Sequence, residues 1–216
     1  MEHRPHLIVR LVLASLAPLM LAQAPRPMTP LQILARMTAN TQGLHSYSVP
    51  VHIDARVRHI VSISVPLEGT RYFEEPDREA LKLDTVPAIA KPFQNVYASL
   101  GTPATWAKTY SITEVTPSPD AGPDIYELRG VYKHASNVDY VLLDVDATTF
   151  TPVLARWYYK NGSTVVMHVQ EARYGNYLLP KHEIVEVHFP QYTGSATVDY
   201  GAYTLNTHID KAVFDG

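Results

Sequence analysis

From Pro152 to Phe189 the chain reads PVLARWYYKNGSTVVMHVQEARYGNYLLPKHEIVEVHF, and the period of this stretch decides the fold. Residues two apart on a strand point the same way. Met167 and Val169 therefore share one face, Val185 and Val187 another, and His182, Glu186 and His188 lie opposite the latter pair. Asn161-Gly162 and Gly175-Asn176 divide the stretch into three strands, Pro152–Tyr159, Thr164–Arg173 and Tyr177–His188. Asn161-Gly162 is the stronger hairpin signal, because both residues tolerate the positive φ of a tight primed turn. No helical period intervenes, so the three strands are consecutive and antiparallel.

The same pattern extends both ways. Lys108–Val115, Ile125–Tyr132 and Val138–Val145 precede the stretch and Ala196–Leu205 follows it, with turn chemistry at Pro117–Pro123, His134–Asn137 and Tyr192–Gly194. Farther upstream Val51, Ile53, Ala55 and Val57 alternate with His52, Asp54, Arg56 and Arg58, a half-buried strand. Ile60–Val65, Gly69–Glu74 and Ala80–Leu83 read as short strands around the turn Glu75-Pro76-Asp77. Two helical patches complete the reading. Thr29-Pro30 is a start signal, followed by the apolar stripe Ile33, Leu34 and Met37 and a stop at Gly43. In the second patch, Ile89–Leu100, the residues Phe93, Val96, Tyr97 and Leu100 recur at i, i+3, i+4 and i+7. Pro92 interrupts this patch, and Gly101 with Thr102-Pro103 ends it. A meander of ten or eleven strands is too large to stay flat. It either curls around a ligand space or packs into a filled sandwich, and composition leaves both open.

Composition excludes several classes of function. The 216 residues hold 18 Lys plus Arg against 21 Asp plus Glu, a net charge of −3, which gives no general field for nucleic acid. The absence of Cys removes disulfides, thiol catalysis and Cys-linked lipid anchors. Arg4 and Arg10 precede the uncharged, Leu-rich run Leu11–Ala22, the layout of a secretory signal peptide covering residues 1–24. The run is shorter than the roughly 20 apolar residues of a membrane span. Residues 25–28 then form an extended leader and 29–216 a single exported domain.

No catalytic set emerges. There is no H-E-x-x-H, no G-x-S-x-G, no P-loop and no G-x-G-x-x-G. His182 and His188 stand about 20 Å apart on a regular strand, and His52 and His59 fall on opposite faces. Asp144 and Asp146 share a strand face, as a solvated strand end does. The reading is a protein that is not an enzyme and carries neither cofactor nor metal.

One arrangement resembles a known family. From Leu143 to Phe189 come an Asp-started turn, a proline opening a strand at Pro152, the hairpin at Asn161-Gly162, then Gly175-x-Tyr177-Leu178-Leu179-Pro180 and a Val-alternating strand. The tail Tyr200-Gly201-Ala202-Tyr203-Thr204-Leu205-Asn206, with Ile209 and Phe214, is similar to a closing strand, and Pro76-Asp77-Arg78 to a proline-then-arginine turn. In their shared order these features resemble the LolA/LolB-like lipoprotein carriers over most of residues 29–214. The resemblance implies a mainly β, open, strongly curved antiparallel half-barrel with short helices over an apolar cavity. It implies a soluble, monomeric carrier of a lipid or lipoprotein acyl chain, with partner proteins at the inner and outer membranes. Some relatives use the same shape as a sensor or interaction module. On this reading Phe93, Val96, Tyr97 and Leu100 form the inner face of a lid. Val51, Ile53, Val57, Met167, Val169, Val185 and Val187 form the cavity wall, and Arg78 sits near the lid.

Overall fold

The computed structural model describes residues 28–58, 62–85, 101–116, 122 and 124–215. Helix α1 spans Pro30–Ala39. Thr29 accepts from the Gln32 backbone N–H, while the Gln32 side chain accepts from the Thr29 N–H, so two otherwise orphaned donors are satisfied at once. The helix turns Ile33, Leu34 and Met37 inward. The chain then reverses at Gly43, whose φ of 83° suits a residue without a Cβ.

Three strands follow, β1 (Ser46–Arg58), β2 (Ser62–Glu74) and β3 (Arg78–Leu83). Helix α2 (Pro103–Thr109) leads into β4 (Tyr110–Val115). The run β5 (Ile125–Tyr132), β6 (Val138–Asp146), β7 (Pro152–Tyr159), β8 (Thr164–Tyr174), β9 (Tyr177–Phe189) and β10 (Tyr192–Tyr200) continues from there. The two-residue β11 (Thr204–Leu205) pairs with β1. All pairings are antiparallel, in the order β3-β2-β1-β10-β9-β8-β7-β6-β5-β4. Two meanders are thus joined where β1 meets β10. The outermost strands β3 and β4 are not paired with each other, so the eleven-stranded sheet is an open half-barrel. The chain leaves one edge at Leu83 and re-enters at the other edge through α2.

Register carries the alternation across the sheet. Leu143, Ala155, Met167, Val185 and Ala196 are successive cross-strand partners, and they lie on the concave face. The buried groups on this face form two clusters. One joins α1, Trp106 of α2 and strands β4 to β9; the other joins Leu44, Leu179 and strands β1, β2 and β10. Each fully buried Val, Leu or Ile contributes roughly 1.5–3 kcal/mol, so these clusters hold the sheet in its curve.

Three local expectations are corrected. Residues 62–74 form one strand, not two, and its thirteen-residue register with β1 is unbroken. Gly69 does not end the strand. A Cβ there would lie 2.4 Å from the Lys82 carbonyl oxygen, so the glycine admits the close approach of β3. Lys108 and Thr109 close a helix, Pro103–Thr109, instead of opening a strand, and Thr102-Pro103 starts that helix instead of ending one: it is the same start signal as Thr29-Pro30, with proline again at the first turn. The turn at Asn161-Gly162 holds only Gly162 at positive φ, 82°, with the Gly162 N–H donating to the Tyr159 carbonyl oxygen. The tight two-residue turn is Gly175-Asn176, with glycine at φ 61° in its first position. The second helical patch, Ile89–Leu100, lies outside the described residues.

Candidate functional site

Beneath α1 and α2 the concave face leaves a cavity of about 140 Å³. Met37, Asn40 and Thr41 close it from the α1 side, and Thr102, Pro103 and Trp106 from the α2 side. Leu143, Met167, Val169 and Leu179 make its floor, and Tyr47 and Phe73 make the wall from β1 and β2. A void of this size is about that of an engineered apolar cavity that admits benzene.

The rim is held by hydrogen bonds. Asn40 Nδ2 donates to the carbonyl oxygens of Thr149 and Phe150, at 2.9 and 3.0 Å. This ties the end of α1 to the β6–β7 turn. Within that turn Asp146 Oδ1 accepts from the N–H groups of Thr148 and Thr149 and from the Thr149 hydroxyl. The backbone donor of Thr149 holds the Asp146 carboxyl below the usual carboxylate range. Phe150 sits at φ 55°, a strained conformation for a bulky side chain. It is the price of placing its ring on the cavity wall, beside Tyr126 and under Arg36. On the other side Thr102 Oγ1 donates to the Pro76 carbonyl oxygen at 3.2 Å, tying the start of α2 to the β2–β3 turn.

One end of the cavity is charged. Arg71 Nη2 donates to Glu79 Oε2 at 2.9 Å and Nη1 to the Tyr200 hydroxyl at 2.7 Å. The Tyr200 hydroxyl donates to Glu183 Oε2 at 2.8 Å. Glu183 pairs with Val169 on one side and Val198 on the other, so it stands at the seam between the two apolar clusters. Glu171 also lines the cavity, beyond a register shift in β8. Burial, reinforced by Glu183, pushes its carboxyl up to about 7. Burial likewise pushes the Tyr47 hydroxyl up to about 12, with Arg71 opposing and the three carboxylates Glu79, Glu183 and Glu171 adding.

Of the wall residues named from alternation, all seven sit at concave-face positions in the register. Met167 and Val169 line the cavity. Val185 and Val187 are packed into the first cluster and Val51 and Ile53 into the second. Val57 is half-buried near the end of β1, opposite Gly194 and Ile63. Arg78 pairs with Glu74 and lies 5.1 Å from the Phe214 ring; it is not among the residues lining the cavity. Phe93, Val96, Tyr97 and Leu100 lie outside the described residues. The charged end was missed, although one further step of alternation from Val169 and from Val185 reaches Glu171 and Glu183. Asp144 pairs not with Asp146 but with Glu127 across β5 and β6, both held by Arg156. Among the described residues no group of three or more His, Asp or Glu is placed to hold a metal ion, and no helix is long and apolar enough to cross a membrane.

Scanned against protein-family models and curated proteins, the sequence matches none. Solved structures do match. A domain assigned as an outer membrane lipoprotein-sorting protein from Vibrio parahaemolyticus aligns with a TM-score of 0.61 at 11% identity, over 86% of this chain and 95% of that one. A LolA superfamily protein from Nitrosomonas europaea aligns at 0.58 and 15% identity, over 87% and 98%. A DUF1329-family protein from Desulfovibrio piger aligns at 0.61 and 12% identity, over 84% and 94%. The chain therefore has the LolA-like fold, an open antiparallel half-barrel whose concave face is covered by short helices.

Proposed function

We propose that this protein is a non-enzymatic carrier of the bacterial envelope that shelters the acyl chain of a lipid or lipoprotein under its helical cover. The observation that carries this reading is the cavity between α1, α2 and the concave face, lined for most of its surface by Met, Leu, Val, Phe and Trp side chains. The names of the matching structures, a lipoprotein-sorting domain and a LolA superfamily protein, support the same reading.

The energetics are favourable and set a condition. Each buried CH₂ contributes about 0.8 kcal/mol, so a chain with on the order of 14 of them gains roughly 11 kcal/mol before ordering costs. A void of about 140 Å³ holds only a fraction of such a chain, so loading requires the cover to lift. The ties at Asn40 and Thr102 are few and partly exposed, and each is worth only about 0.5–1.5 kcal/mol. Chain burial outweighs these ties, and the buried side chains of the cover, Ile33, Leu34, Met37 and Trp106, must repack on the loaded chain for the gain to be kept. In this reading residues 1–24 direct export to the periplasm, the carrier works as a monomer, and inner- and outer-membrane proteins load and unload it.

The test is native mass spectrometry of the full chain purified from the envelope of a diderm host. A co-purified lipid or acylated peptide is expected, and its loss in a Met167→Asp variant that keeps its β-sheet circular dichroism would place it in the cavity. An empty protein bound stably to another protein would instead favour a sensor of the same fold.

A further inference from the structure

We infer that the charged end of the cavity receives a cationic amine at the head of an apolar ligand. This deepens the carrier reading and rests on it.

Two carboxylates in this end are committed. Arg71 pairs with Glu79 and lies 3.8 Å from Glu183, and the Tyr200 hydroxyl bridges Arg71 and Glu183. Two groups are not committed. Glu171 has neither an ion pair nor a hydrogen bond among the described residues, and neither does the Tyr47 hydroxyl. Tyr47 is 94% buried, since its relative exposure is 6%. It lines the cavity, and its hydroxyl feels Arg71, Glu79, Glu183 and Glu171 together. Among the described residues this end holds one guanidinium and three carboxyl groups, with the Glu171 carboxyl and the Tyr47 phenol oxygen facing the void.

The chemistry that matches is a donor with positive charge. Acceptor oxygens that face an apolar void without a protein partner gain most from a charge-assisted hydrogen bond. A carboxylate or phosphate would set a further negative charge against Glu171 and its neighbour Glu183, and Arg71 is committed to its own acids. A plain hydroxyl satisfies one oxygen and leaves the Glu171 charge in place. An ammonium carries three donors and a positive charge, and the apolar part of the ligand then extends along Met167 and Val169 toward Trp106.

Isothermal titration calorimetry of the full chain with octylamine, octanol and octanoate tests the assignment, since the three share a chain of eight carbons and octanoate's apolar tail is shorter by only one CH₂. Octylamine is expected to bind about tenfold or more tightly than octanol, and octanoate most weakly. Glu171→Gln should bring octylamine to the level of octanol and leave octanol unchanged. Equal binding of all three, or octanoate at least as tight as octylamine, overturns the amine while leaving the apolar cavity standing. No binding by any probe overturns the cavity reading as well. An octylamine preference that survives in both Glu171→Gln and Tyr47→Phe overturns the placement at this end. Lysophosphatidylethanolamine and lysophosphatidylglycerol then separate the sources. Preference for the former assigns an aminolipid headgroup; no preference, with the octylamine preference intact, assigns a simple amine.

Discussion

The molecule contains two arginines among acids, and they differ in what they leave over. On the convex face Arg156 bridges Glu127 and Asp144, whose side chains are only 7% and 4% exposed. On the concave face Arg71 bridges Glu79 and Glu183, at 18% and 4%. The first cluster is closed off: three groups face one another and line no described cavity, with the Arg156 Nε buried and without a hydrogen-bond partner. The second opens on a void and includes a carboxylate and a phenol beyond what Arg71 engages. Burial and charge are shared by both clusters, so neither marks a site. Uncommitted hydrogen-bonding capacity facing empty space does.

The largest expected effect breaks the closed cluster. Arg156→Ala leaves two buried carboxylates without their cation, a loss of about 3–5 kcal/mol in urea unfolding at pH 8. Burial, with Glu127 adding and Arg156 opposing, already pushes the Asp144 carboxyl up to about 6. Without Arg156 the Asp144 carboxyl takes up a proton more readily, so the loss should shrink on going to pH 5. A loss that does not change with pH would show that the arginine acts through packing instead of charge.

A smaller effect concerns the open cluster, and its sign is opposite. The Glu171 carboxyl stands at about 7 in the folded chain against an ordinary 4.5. Over that window the folded state binds more protons than the unfolded state, so stability falls as pH rises from about 4.5 to 7 and levels off above. Glu171→Gln removes this slope and should raise stability at pH 8 by about 1–3 kcal/mol. Chemical denaturation of both proteins at pH 5 and pH 8 reads the difference. An equal effect at the two values would show that Glu171 is not the titrating group.

The contrast between the clusters was only partly legible in the sequence. Strand count, antiparallel order and the sharing of a face followed from alternation, because period 2 is a local property: Met167 and Val169 declare their face without knowledge of their neighbours. That this face is concave came only from the family resemblance. What a concave position touches is not local. Val185 and Val187 share the face of Met167, yet they meet core side chains while Met167 meets the void. Glu183 and Glu171 continue the same rows, but a charge in an apolar row reads as a strand end until Arg71 arrives from β2, a hundred or more residues away. Phe150 gave no signal at all, because its positive φ is imposed by the Asp146 turn and by Asn40 of α1.

The finest comparison sits inside the open cluster, between two phenols on adjacent strands. Tyr200 and Tyr47 are 8% and 6% exposed and belong to the same apolar cluster. The Tyr200 hydroxyl accepts from Arg71 and donates to Glu183, so Tyr200→Phe removes two bonds to charged groups and should cost about 1.5–3 kcal/mol. The Tyr47 ring stacks on Phe73 at 5.3 Å and meets Tyr203 edge-on, contacts that phenylalanine keeps. Its hydroxyl has no partner to lose, so Tyr47→Phe should change stability by less than about 0.5 kcal/mol or raise it slightly. Thermal unfolding of the two variants side by side separates these outcomes. Matching losses would mean that the Tyr47 hydroxyl is engaged in the empty protein, and the cavity would then have one acceptor fewer to offer.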